Sequence, residues 1–91
     1  MSEIPSQIGQ YEILDTLGAG GMAEVYLGRH TQLGNAVAIK VLDARYDRDP
    51  SFRQRFVDEA RIQANLKHAN ILAVQDIVAE EGLTAIVMEY L

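Results

Sequence analysis

Apolar and polar positions change their spacing several times along this chain, and each change marks an element. Over residues 11–17 they partly alternate, the pattern of a strand with one buried face. A glycine cluster, Gly18-Ala19-Gly20-Gly21, separates that stretch from Val25-Tyr26-Leu27, three good strand formers. Two strands around a glycine turn predict a hairpin. Residues 31–35, with Gly34 near their end, predict a second turn. The following run, Ala36-Val37-Ala38-Ile39-Lys40-Val41-Leu42, is nearly all apolar and predicts a buried strand with one lysine inside it.

Residues 43–49 are charged and show no period, so they read as irregular. Asp49-Pro50 is a helix start, because aspartate caps free N–H groups and proline suits the first helical position. Across 51–66, Phe52, Phe56, Ala60, Ile62 and Leu66 predict one apolar helical face, while Arg53, Gln54, Arg55, Asp58 and Arg61 largely supply the wet one. Residues 71–78 and 83–90 read as two further strands around Glu80-Glu81-Gly82. The order strand, strand, strand, helix, strand, strand predicts an α+β fold, a five-stranded antiparallel sheet with one main helix packed on it. Residues 1–10, carrying Ser2, Pro5, Ser6, Gln7 and Gly9, read as an N-terminal arm ahead of a domain spanning 11–91.

Composition narrows the function. Ninety-one residues, 48% hydrophobic and 23% charged, allow one small globular domain. No apolar run approaches the ~18 residues of a membrane span, and the N-terminus lacks the blocks of a signal peptide, so a soluble, cytoplasmic domain is expected. The absence of cysteine excludes a disulfide framework, a thiolate nucleophile and a cysteine-based zinc site. His30 and His68 lie far apart and suggest no metal cluster. Eight Lys and Arg against thirteen Asp and Glu give a formal charge of −5, which disfavours nucleic acid as a partner.

Two features carry candidate chemistry. Gly18-x-Gly20-x-x-Ala23 approaches a phosphate-cradling pattern, although glycine clusters in small proteins usually form plain turns. A dinucleotide fingerprint needs a helix starting inside the motif, and a Walker loop needs Gly-Lys-Ser/Thr, which is missing. A glycine hairpin lying over phosphates as a flap is the remaining ligand-binding form. Lys40 is either a strand-end residue reaching water or a cation held for phosphate oxygens. The second role is costly to desolvate without an anion nearby. Glu59, one position before the inward Ala60, is either a solvated side chain like Asp58 or that anion.

With Gly18-Ala19-Gly20-Gly21-Met22-Ala23-Glu24-Val25-Tyr26, Val37-Ala38-Ile39-Lys40 and Glu59 in this order, the chain resembles the N-terminal lobe of a protein kinase. His68-Ala69-Asn70-Ile71 is similar to the turn after that lobe's helix, and Val87-Met88-Glu89-Tyr90-Leu91 to its hinge. The wording of Gly20-Gly21-Met22-Ala23-Glu24-Val25 and Arg48-Asp49-Pro50-Ser51-Phe52 is similar to bacterial serine/threonine kinases of the eukaryotic-like type.

The resemblance implies ATP as the ligand, with Gly18, Gly20 and Ala19 between them covering its phosphates, and Leu17 and Gly21 also among the ATP-binding residues. It implies Val25 and Ala38 as the roof of the adenine, and Met88 as gatekeeper. The backbone of Glu89 and Leu91 would hydrogen-bond the adenine edge. Lys40 would meet the α- and β-phosphates, with Glu59 holding its ammonium. Three positions depart from the family: Ala23 replaces the third glycine, Ala69 a common proline, and Gln63 an apolar residue of the internal stack.

The catalytic aspartate and the magnesium-holding residues of complete kinases do not occur in these 91 residues. Tyr46-Asp47-Arg48-Asp49 resembles the catalytic-loop tripeptide but precedes the helix, and reads as a solvated charged loop. The resemblance therefore implies a chain inactive by itself, binding ATP weakly, with Mg2+ and a protein substrate engaged only in the complete kinase. Ile62, Leu66, Ile71 and Val74 are candidates for exposed apolar surface and homodimer formation. A non-catalytic interaction module of the same fold is the alternative.

Overall fold

The computed structural model describes residues 6–63, 71–80 and 82–90. Their elements run β1 (Gln7–Ile8), β2 (Tyr11–Gly20), β3 (Ala23–His30), β4 (Ala36–Leu42), α1 (Ala44–Asp47), α2 (Pro50–Gln63), β5 (Ile71–Glu80) and β6 (Leu83–Tyr90). All strand pairs are antiparallel, in the order β1-β2-β3-β4-β6-β5. The expected helix-on-sheet architecture is present with six strands in place of five. The sixth is β1, where Ile8 of the polar lead-in is only 2% exposed. A single apolar residue among polar neighbours carries no period, so the pattern reading passes over it.

Alternation along β4 divides the core between the two faces of the sheet. Ala38 and Leu42 pack with Ala23, Ile86, Met88 and, from α2, Phe56 and Ala60. Val37 and Ile39 face the other way, into Ile8, Tyr11, Ala85 and Val87. That second cluster is covered by the curl of the sheet itself. Tyr11 of β2 donates its hydroxyl to Asp76 of β5 at 3.2 Å and accepts from Gln75 at 3.1 Å, joining opposite ends of the sheet. Burial, together with the nearby Asp76 charge, raises the Tyr11 pKa, so the hydroxyl stays a donor.

The charged stretch after β4 is ordered, against expectation. Asp43 caps the one-turn α1, accepting from the Arg45 N–H at 2.8 Å. Asp47 is not solvated: it is 4% exposed and accepts from the Thr84 hydroxyl at 2.6 Å. Four residues are too few for hydrophobic periodicity to reveal a helix. The start of α2 is as expected, with Asp49 accepting from the N–H and hydroxyl of Ser51 at 2.9 and 2.7 Å. Of the apolar positions expected to be exposed, Val74 packs against the helix-side core. The side chains of Ile62, Leu66 and Ile71, and of Gln63 and Leu72, lie outside the described residues.

Candidate functional site

The β2–β3 hairpin closes with Gly20 opposite Ala23 and the turn residues Gly21 and Met22 between them. Gly21 takes a φ of 45°, and Met22 has no positive φ. A left-handed glycine at the first central position alone is the type II′ requirement. Because β3 starts at Ala23 as a strand, the glycines open no helix, and the dinucleotide fingerprint is removed.

The glycines differ in what demands them. At Gly28 an added Cβ would lie 2.8 Å from Ile39 Cδ1 and 2.9 Å from the Glu12 carbonyl oxygen, so packing requires glycine there. At Gly18 and Gly20 it would meet nothing within 4 Å. Their lack of a side chain therefore answers no need of the folded chain.

Antiparallel partners share a face of the sheet. Gly18, Val25, Lys40, Ile86 and Ile77 consequently form one row across the strands, and Leu27, Ala38, Met88 and Val74 the next. Lys40 thus lies beside the glycine hairpin on the face that α2 covers. Leu17 falls in the register irregularity between Thr16 and Gly18 and is 42% exposed. Ala19 pairs with Glu24, whose carboxylate accepts from the Tyr26 hydroxyl; burial and that contact push the Tyr26 pKa up to about 12. Met88 is buried beside Ala38, and Glu89 is exposed opposite Val37. Leu91 lies outside the described residues, as do His68, Ala69 and Asn70.

A cavity of about 390 Å³ opens between the hairpin tip and α2. Gly20, Gly21, Met22 and Ala23 form one wall, Lys40 the floor, and Arg55, Phe56 and Glu59 the wall from α2. Lys40 and Glu59 therefore meet at a common space. Among the described residues the ion pairs within 4 Å are Arg29–Glu12 and Arg45–Asp43, so the lysine and the glutamate stand apart across the cavity. The Lys40 Nζ sits instead 5.8 Å from the centroid of the Phe56 ring. Arg55, assigned above to the wet face, lines the same space. Its position four residues before Glu59 places both on one side of the helix, a signal available in the sequence. The lining carries two cations and one anion in a chain of net charge −5. Locally the field favours an anionic guest.

An antiparallel sheet with a long helix, a glycine hairpin at one end and a strand lysine on the helix-covered face frames this cavity. The protein kinase domain model matches residues 11–91, and the chain belongs to the protein kinase family. A probable serine/threonine-protein kinase of Streptomyces coelicolor is 48% identical over 86 residues, covering 90% of this chain and 13% of that protein. PknB of Mycobacterium leprae, a serine/threonine-protein kinase, is 47% identical over 94 residues, covering 99% and 15% respectively. The crystal structure of the Mycobacterium tuberculosis PknI kinase domain superposes with a TM-score of 0.72 at 34% identity, over 98% of this chain and 37% of that one. The chain thus corresponds to the N-lobe of bacterial serine/threonine kinases and spans about one seventh of the length of these curated relatives.

Proposed function

We propose that this chain is the ATP-binding lobe of a serine/threonine protein kinase and that its cavity takes the phosphates of ATP. One observation carries the reading: a net-positive cavity is walled on one side by glycines whose missing side chains leave open space. Backbone N–H groups can approach an anion closely there. In this reading Gly18, Ala19 and Gly20 cover the phosphates, Leu17 and Gly21 also contact ATP, and Lys40 meets the α- and β-phosphates. Glu59 holds Lys40 when the helix closes. Val25 and Ala38 roof the adenine, Met88 limits the space behind it, and the backbone of Glu89 and Leu91 reads its edge. ATP supplies the transferable γ-phosphoryl group, and the parent kinase would pass it to protein Ser/Thr hydroxyls in the cytoplasm.

These 91 residues alone are proposed to bind ATP weakly and to transfer nothing. Phosphoryl transfer needs charge stabilisation and positioning of both reactants, and no catalytic-loop or DFG segment occurs among them. Calorimetric titration with Mg-ATP tests this: weak uptake is expected, with Lys40→Ala removing most of it. Uptake unchanged by Lys40→Ala would refute the assignment. The second reading is an interaction module of the same fold that pairs with another copy, for which Leu14, Leu17 and Leu33 are exposed apolar positions. No uptake at millimolar ATP, together with a stable dimer in sedimentation, would select that one.

A further inference from the structure

We propose that Phe56 is a positioning residue for Lys40, its ring face holding the ammonium inside the cavity while Glu59 is unpaired. The Lys40 Nζ lies 5.8 Å from the ring centroid, within the range where the negative face of a phenyl ring attracts a cation. Phe56 is 4% exposed and packed with Ala38, Ala60 and Met88, so the ring cannot swing away from the lysine. Lys40 carries a flexible four-carbon stem, and among the described residues no carboxylate lies within 4 Å to fix it. Glu59 follows Phe56 by three residues on α2, which puts ring and carboxylate on the same side of the helix. The ammonium therefore has two resting places a short rotation apart, both facing the cavity.

The second cation is kept away in the same manner. Arg55 lies with its guanidinium carbon 5.6 Å from the Phe52 ring, so each aromatic residue of α2 takes one cation. Two like charges are thereby spaced along the wall of one cavity. The functional consequence rests on reading that cavity as a phosphate site: a lysine already held there gives up less rotamer freedom when phosphates arrive.

The test is made on the 91-residue protein. In the ligand-free state the NMR signals of the Lys40 ε-methylene are expected upfield of ordinary lysines, through the ring current of Phe56. Phe56→Leu removes that shift and weakens Mg-ATP binding by about threefold to tenfold, and Phe56→Tyr, which keeps a ring, rescues both. An unshifted ε-methylene in the unmodified protein would overturn the proposal, whatever the variants do, so poor folding of Phe56→Leu leaves it open to refutation. Unchanged ATP binding by Phe56→Leu would overturn it too, while leaving the nucleotide reading in place. A shifted ε-methylene in a protein that takes up no ATP would support the ring contact and refute the nucleotide reading.

Discussion

Glycine serves two separate needs in this chain, and substitution separates them. Gly28 is squeezed between Ile39 and the Glu12 carbonyl, so Gly28→Ala must displace a core side chain or the backbone of β2. Its expected cost is about 1–3 kcal/mol, read from urea denaturation. Gly20→Ala meets open space and has no positive φ to strain, so stability is expected to hold or rise slightly, while ATP binding weakens. A Gly20→Ala protein as unstable as Gly28→Ala would show that the hairpin glycines serve packing after all. The two roles were not equally legible. The cluster at 18–21 announces itself by its density, whereas Gly28 looks like any strand residue until its partner strands are known. Phe56 was legible as core but not as a neighbour of Lys40, because which side chain meets a lysine depends on how α2 docks, and spacing along the chain does not encode that.

At the scale of elements, the start of α2 was readable from Asp49-Pro50 alone, because a cap acts within three residues. Hydrogen bonds from the Ser51 hydroxyl and N–H hold the Asp49 carboxyl below the usual aspartate range. Asp43, bonded by the Arg45 side chain and N–H, is lowered likewise. A carboxyl depressed in the folded state adds stability that is complete above its ordinary value near 3.8 and vanishes as pH falls through the lowered value. Asp49→Ala is therefore expected to melt a few degrees below the unmodified protein at pH 7, with the gap closing in strong acid. A gap of constant size across a pH series of thermal melts would contradict the cap. The short α1 was hidden by its length, and the burial of Asp47 by its partner Thr84, which is 37 residues away in sequence. The strand count missed β1 because two residues pair only where a longer strand offers an edge.

For the molecule as a whole, an acidic chain keeps a cavity whose lining is positive, and that inversion gives the site its chemical direction. The sheet-and-helix architecture and the ordering of glycine hairpin, lysine strand and glutamate helix were all legible, since each rests on local pattern. The separation of Lys40 from Glu59 was not, because it depends on how α2 docks on the sheet, which spacing along the chain does not encode. Chemical-shift mapping during a Mg-ATP titration of the isotope-labelled protein tests the account most directly. Shifts confined to the amides of Gly18 through Val25, Ala38, Lys40 and the segment Met88 through Leu91, and reduced by Lys40→Ala, are the result predicted. Shifts gathered on the opposite face, around Val37, Ile39 and Val87, or none at millimolar ATP, would contradict it.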